Sequence, residues 1–367
     1  MAVKPWRLLI TGGGTGGHIY PALALARRLQ GEAEVLYAGT AQGLEARLVP
    51  AAGVAFTVIS SGGLLGRSLR RQVQGLRLAA SGLVQALQIL RRFRPAVVVG
   101  TGGYASGPLM LAAVLLRVPT LLQEQNLQPG MTNRWLAPWV SRVVVPYPES
   151  HAYFPRRTRL QVIGNPIRPE ILAASAEAAR RELDLVGKRV ILLFGGSGGA
   201  LRLNEAALSL GPQLRPGEVL LWATGTKYHE EFVRRCQETG VSAAAVRLYP
   251  YLDHMERFLA VADVVIARAG AMTIAELTAL GLPSILVPSP NVVHDHQRLN
   301  AELLSAKGAA VLVEESNLAG LPATLRGLLD DEEGRSRMAA ASRRLGEPQA
   351  LERLAQEVRS LARRRHG

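Results

Sequence analysis

Short, continuous apolar runs alternate with segments of helical period along the whole chain. In the first half the runs fall at 7–11, 35–38, 55–58, 97–100, 120–123 and 142–145. Runs that are apolar throughout, rather than at every second position, suit strands buried on both faces of a parallel sheet. The segments between them are long enough for crossover helices. The pattern pauses at Gly164-Asn165-Pro166. After a helical segment at 177–185 it restarts, with runs at 190–194, 218–222, 246–248, 264–267, 284–287 and 309–313. Two doubly wound α/β halves are predicted, with ligands at the carboxyl ends of their strands in a cleft between them. A last helix at 348–365 fits either half by its pattern.

The two halves enter alike. The first run leads into Gly12-Gly13-Gly14-Thr15-Gly16-Gly17-His18, and the run at 190–194 leads into Gly195-Gly196-Ser197-Gly198-Gly199. Pro21 is predicted to open the first helix, which then runs to Gln30. A glycine turn feeding a helix N-terminus presents backbone N–H groups and the positive end of the dipole to an anion, most often phosphate. A third loop, Gly100 to Pro108, also follows a strand, so the first half holds two such loops, enough for a diphosphate. Gly12, Gly14 and Gly17 have the spacing of a dinucleotide fingerprint. That reading needs an acid at the end of the second strand, yet Tyr37-Ala38-Gly39-Thr40 has none and the next is Glu45. A nucleoside-triphosphatase loop needs Lys and Ser/Thr after its last glycine, where His18 and Ile19 stand instead.

The chain has 367 residues, beyond the ~250–300 at which single cores divide. It carries a formal charge of +14, unevenly spread. Residues 1–164 hold 18 Lys and Arg against 5 Asp and Glu, whereas the remainder holds 25 against 24. A basic half of this kind attracts an anionic partner, and the near-neutral second half argues against a uniformly arginine-rich surface. One cysteine, Cys236, excludes an internal disulfide and fits a reducing compartment. The longest apolar stretch, 108–122, contains Arg117 and two prolines and is too short to span a bilayer. The N-terminal apolar run passes straight into the glycine turn, so no secretory leader is expected.

Residues 68–93 predict one long helix. Leu69, Val73, Leu76, Leu83, Leu87 and Leu90 form a stripe, while Arg70, Arg71, Arg77, Arg91, Arg92 and Arg94 decorate the rest. Leu64, Leu65, Leu78, Val84 and Ile89 lie off the stripe, and together they suit a basic, partly apolar surface resting on anionic lipid.

Several residues carry candidate chemistry. His18 stands where a helix begins beside a phosphate-type loop, as a general base would. Glu124, in Gln123-Glu124-Gln125-Asn126, is the first acid after a long basic stretch, placed either to orient a nucleophile or to cap a turn. In the second half, Arg268-Ala269-Gly270-Ala271-Met272-Thr273 follows a strand and opens a helix toward a phosphate, with Glu276 positioned for two sugar hydroxyls. His294, Asp295 and His296 are adjacent and diverge in direction, so sugar contacts are expected there rather than a metal.

Taken in order, Gly12–His18, 101–108, 124–126, 164–168, 195–200, 269–276 and 295–300 resemble the MurG family of peptidoglycan N-acetylglucosaminyltransferases, glycosyltransferase family 28. The resemblance implies a GT-B fold, two Rossmann-like domains facing each other across a deep cleft. The domains are expected at 1–164 (acceptor and membrane association, joined by a helix at 346–367) and 165–345 (donor). It implies inverting transfer of GlcNAc from UDP-GlcNAc to the 4-hydroxyl of the MurNAc in lipid I, giving lipid II and UDP, with no cofactor or metal. His18, Glu124 and Tyr104 would be catalytic. Thr15, Gly16, Gly17, Asn126, Arg168, Ser197, Leu252, Ala271, Met272, Thr273, Glu276, His296 and Gln297 would hold the donor. Gly13, Gly14, Thr15, Gly102, Gly103, Tyr104 and Ser106 would hold the acceptor diphosphate. Gly198 and His296 depart from the glutamines common in that family. The implied place is the cytoplasmic face of the plasma membrane, as a peripheral protein alongside other cell-wall synthesis and division proteins. Rival readings are a UDP-GlcNAc 2-epimerase of similar fold and a basic nucleic-acid-binding protein. The latter lacks a nucleic-acid motif or stacking aromatics, which are 5% of residues.

Overall fold

A computed structural model describes residues 5–61, 69–196, 198–238, 240 and 242–364, leaving aside the side chains of 69–76 and of Val293. The chain divides into two compact units. Unit 1 is Met1–Ile167 together with Gln349–Gly367, and unit 2 is Arg168–Pro348.

Unit 1 is built on seven parallel strands: β1 (Trp6–Thr11), β2 (Ala33–Gly39), β3 (Ala55–Val58), β4 (Val97–Gly100), β5 (Thr120–Gln123), β6 (Arg142–Val145) and β7 (Leu160–Val162). Their order is β3-β2-β1-β4-β5-β6-β7. Period-2 geometry splits each central strand between two cores. Leu8, Ile10, Val97 and Val99 face one, with Ile19 and Leu25 of the Gly16–Arg28 helix. Leu9, Val98, Leu122 and Val143 face the other, with Leu109 and Met110 of the Ser106–Leu115 helix. The Ala350–Arg363 helix completes the first core with Ala350, Leu354, Ala355, Val358, Leu361 and Ala362, spaced along one face. Its charged side joins a four-residue network, in which Arg359 donates to Glu32 and Glu352 while Arg28 donates to Glu352 and Glu32.

Unit 2 repeats the winding with β8 (Arg189–Phe194), β9 (Glu218–Ala223), β10 (Val246–Tyr249), β11 (Val264–Ala267), β12 (Ser284–Leu286) and β13 (Val311–Leu312), in the order β10-β9-β8-β11-β12-β13. Each sheet thus reverses its strand order once, between β1 and β4 in unit 1 and between β8 and β11 in unit 2. A crevice at such a switch point is the usual ligand position in this architecture.

Two sequence expectations shift. The first helix begins at Gly16, so Pro21 lies inside it rather than opening it, and the bond its N–H would give to Gly17 is forgone. β7 was not foreseen: Leu160, Gln161 and Val162 are all half-buried at the sheet edge, so no apolar run marks them.

Candidate active site

In unit 1, three loops leave the carboxyl ends of the neighbouring strands β1, β4 and β5. The first two lock together through glycines. Gly103 has φ +79°, and a Cβ there would lie 2.3 Å from the Gly13 carbonyl oxygen, while a Cβ on Gly12 would lie 2.0 Å from Thr101 Oγ1. Beneath the first loop sits Glu45, fully buried, whose carboxylate accepts from Gly14 N (3.1 Å), Thr40 N (3.0 Å) and Thr40 Oγ1 (2.6 Å). Burial pushes this carboxyl up, but those bonds outweigh it and hold it below the usual range. Tyr37 props the loop from the same side, its hydroxyl donating to the Gly12 carbonyl at 2.9 Å.

This arrangement corrects part of the expected diphosphate cradle. Gly13 N donates to the Gly102 carbonyl and Gly14 N to Glu45, so neither N–H faces a ligand. Ser106 is fully buried and its hydroxyl donates to the Gly103 carbonyl, which shapes the loop instead of meeting an anion. Thr15 remains exposed at the helix N-cap with no side-chain capping bond, ahead of Gly16 and Gly17 in the first turn. Tyr104 stands out from the loop after β4, 56% exposed, and its carbonyl accepts the Ser61 hydroxyl.

His18 lies in the first turn of its helix, half-buried, with Nδ1 2.8 Å from Gln125 Oε1. Glu124 is 1% exposed and saturated: Oε1 accepts from Gln125 N, Asn126 N and Asn126 Nδ2, and Oε2 from Gly130 N and Asn133 Nδ2. Of the two roles its position suggested, this is the turn-capping one. Its five donors leave no oxygen facing a substrate.

In unit 2, the loop after β8 packs its Gly199 (φ +74°) against Gly225, and Ser197 lies outside the described residues. After β11, Gly270 caps the Ala271–Leu280 helix, whose first intrahelical bond runs from Ile274 N to Gly270 O. The N–H groups of Ala271, Met272 and Thr273 therefore precede the helical ladder, where an anion is favoured. Glu276 lies in the second turn of this helix, its side chain 13% exposed and 3.3 Å from Arg168 Nη2. Burial raises this carboxyl above its ordinary range, with Arg168 opposing the shift. The two residues expected at the nucleotide are thus brought into contact. Leu252 is buried ahead of the Met255–Val261 helix. After β12 the chain enters the His296–Ala306 helix through His294 (φ +56°) and Asp295 (φ +51°), consecutive left-handed residues of a kind that persists where surroundings enforce it. Gln297 Oε1 accepts from Ser289 N at 2.9 Å, tying the helix to its own entry loop.

Arg268 was not singled out from sequence for any role. It donates to the carbonyls of Val287 and Pro288 and to Glu315, joining the loops after β11 and β12. An arginine directly after the buried Val-Val-Ile-Ala run was the available signal.

Residues 8–145 match the glycosyltransferase family 28 N-terminal domain and residues 190–354 its C-terminal domain. The chain belongs to glycosyltransferase family 28. Among family relatives, a Symbiobacterium thermophilum protein is 48% identical over 364 residues, covering 97% of this chain and 96% of its own length. It is named a UDP-N-acetylglucosamine–N-acetylmuramyl-(pentapeptide) pyrophosphoryl-undecaprenol N-acetylglucosamine transferase. A Desulforudis audaxviator protein of the same name is 45% identical over 367 residues, covering 97% and 98%. The crystal structure of Acinetobacter baumannii MurG superposes with a TM-score of 0.80 at 27% identity, covering 97% of this chain and all of that one. The family-28 chain accordingly has the GT-B fold. A UDP-GlcNAc 2-epimerase from Neisseria meningitidis shares that fold, with a TM-score of 0.68 at 13% identity over 96% of this chain and 99% of the other.

Proposed function

We propose that the protein is an inverting hexosyltransferase that moves GlcNAc from UDP-GlcNAc to the 4-hydroxyl of MurNAc in undecaprenyl-diphospho-MurNAc-pentapeptide, releasing UDP in peptidoglycan synthesis. The observation that carries this is the 48% identity, across 97% of the chain, to a relative named for that transfer. Local geometry supports the roles. The acceptor oxygen attacks the donor's anomeric carbon, the bond to the diphosphate breaks, and UDP leaves with its electron pair. His18 takes the hydroxyl proton. Glu124 and Asn126 shape the loop beside it, and Tyr104 borders the reacting end. The leaving diphosphate is met by the Ala271–Thr273 N–H groups and by the Ser197 loop, fixed dipoles that need no metal or cofactor. Glu276 accepts two ribose hydroxyls, Arg168 supports it, the Leu252 backbone reads uracil, and His296, Gln297 and Asn126 read the sugar.

The acceptor diphosphate falls to Thr15 and to the Gly102–Tyr104 turn, and Gly16 and Gly17 lie toward the donor. Membrane contact falls to the Ser106–Leu115 helix of unit 1 and the two helices that pack on it, Leu69–Phe93 and Met131–Leu136. On and beside them Leu78, Val84, Leu111, Leu115, Leu116, Trp135 and Trp139 are exposed among Arg77, Arg117 and Arg134. Among the described residues no helix is long and apolar enough to cross a membrane, which fits a peripheral attachment. Leu64 and Leu65 lie outside the described residues. Ile89 is half-buried against the core instead of facing outward.

Product analysis tests the reading. Purified protein with UDP-GlcNAc and a short-chain lipid I analogue should release UDP and form a GlcNAc–MurNAc product, in chelator as well as without it. His18→Ala should cut kcat by about 100-fold or more, the usual worth of a general base. A UDP-sugar isomer formed without acceptor would instead make the protein an epimerase.

A further inference from the structure

The His18 imidazole ends a chain of buried side-chain amides. Asn165 Nδ2 donates at 2.8 Å to the backbone carbonyl of Gln125, a group that only accepts. That bond orients the Asn165 amide, so its Oδ1 accepts from Gln123 Nε2 at 2.9 Å. The same Gln123 nitrogen donates to the Glu124 carbonyl, which leaves Gln123 Oε1 to accept from Gln125 Nε2. Gln125 Nε2 also donates to the carbonyls of Thr101 (2.8 Å) and Gln123 (3.0 Å), so backbone acceptors orient its amide as well as the Gln123 side chain does. Only Gln125 Oε1 is left for His18, at 2.8 Å from Nδ1. An amide oxygen accepts and does not donate, so the hydrogen between them belongs to Nδ1.

The side-chain links from His18 through Gln125 and Gln123 to Asn165 all donate in one direction, away from the imidazole, and bonds aligned in this way polarise one another. Gln123, Gln125 and Asn165 are 0, 1 and 4% exposed, which keeps water from competing for the links. We propose that Asn165, Gln123 and Gln125 are positioning residues that lock neutral His18 as its Nδ1–H tautomer and present the bare Nε2 to the acceptor hydroxyl. The lock follows from these bonds alone. Its use in catalysis rests on His18 being the base. A neutral amide behind the imidazole fixes its tautomer and its plane, but it does not offer the charge that a carboxylate offers to the imidazolium.

Long-range 15N–1H correlation on the full chain, labelled at histidine nitrogens and held at about pH 8, above the ordinary histidine range, reads the tautomer directly. His18 is identified by the signals lost in His18→Ala. The expected pattern is a protonated Nδ1 and a bare Nε2. Gln125→Met, and Asn165→Leu two amides away, should each mix the tautomers. Each should lower kcat, by about 10- to 100-fold for Gln125→Met, with the donor KM within about twofold. A wild-type His18 carrying its hydrogen on Nε2 overturns the proposal even if neither variant folds. So do folded variants with wild-type spectrum and kcat. A locked tautomer in wild type, combined with full activity in His18→Ala, would uphold the lock and discard the base.

Discussion

Glu276 is the residue whose environment makes the sharpest demand. Burial raises its carboxyl and Arg168 only partly opposes the shift, so folding disfavours the ionised form. A carboxyl raised on folding contributes most stability below its unfolded value and loses that contribution as pH rises through the folded value. Glu276→Gln should therefore hold or raise the Tm at neutral pH. The same change should raise the donor KM by about 10- to 100-fold, since a charged acceptor bond is worth about 1.5–3 kcal/mol. In the wild type the donor KM should climb on acidification from above the ordinary carboxylate range, and the variant should lack that limb. Steady-state kinetics across pH, with melting curves alongside, check both. His18 and Glu276 were legible because each follows a strand, a glycine turn and a helix start, all local signals. Gln125 and Glu45 were not. Gln125 acquires its meaning from a histidine 107 positions away, and Glu45 registered only as an acid too distant in sequence for a ribose. In three dimensions Glu45 holds the very loop it was measured against.

The same contrast holds among the elements. The segment at 68–93, the last helix and the fully apolar strands announced themselves, the strands because burial on both faces leaves no polar position to confuse the period, whereas the Glu332–Leu345 helix went unnamed. The edge strand β7 and the early start of the Gly16–Arg28 helix did not announce themselves either, since one is half-buried and the other is entered through glycines of poor helix propensity. The long Leu69–Phe93 helix shows what period alone leaves open. Leu90 is buried and Leu83 and Leu87 are partly so, but Leu78 and Val84 are exposed, as are Leu111, Leu115, Leu116, Trp135 and Trp139 on and beside the two following helices. Trp135 and Trp139, 66% and 72% exposed, are suited to a membrane–water boundary, where an amphipathic ring is at home. Vesicle sedimentation should show binding that strengthens with anionic lipid and weakens with salt. Trp135→Ser with Trp139→Ser should lower the partition several-fold and leave the Tm nearly unchanged. Equal binding to neutral and anionic vesicles at any salt would remove the electrostatic part.

At the scale of the molecule, duplication was readable: two strand orders of one type, each introduced by a glycine turn. The owner of the last helix was not readable from its pattern, because an amphipathic face says that it must be covered and not by what, and only the family resemblance pointed to the first half. That helix settles on unit 1, and the consequence is one of assembly. The ribosome releases residues 5–167 long before the piece that closes their core, and unit 2 is in effect an insertion within unit 1. Leu351, Leu354, Val358 and Leu361 together supply roughly 6–12 kcal/mol of burial, comparable to the whole stability of a typical domain. A chain stopped after Pro348 should accordingly leave unit 1 molten while unit 2 melts cooperatively, and residues 168–348 alone should fold, as calorimetry and amide exchange would report. A circular permutant carrying 349–364 ahead of Trp6 should restore unit 1. During synthesis, the half that carries His18 waits for the final helix, so a truncated message yields a finished unit 2 and an unfinished unit 1.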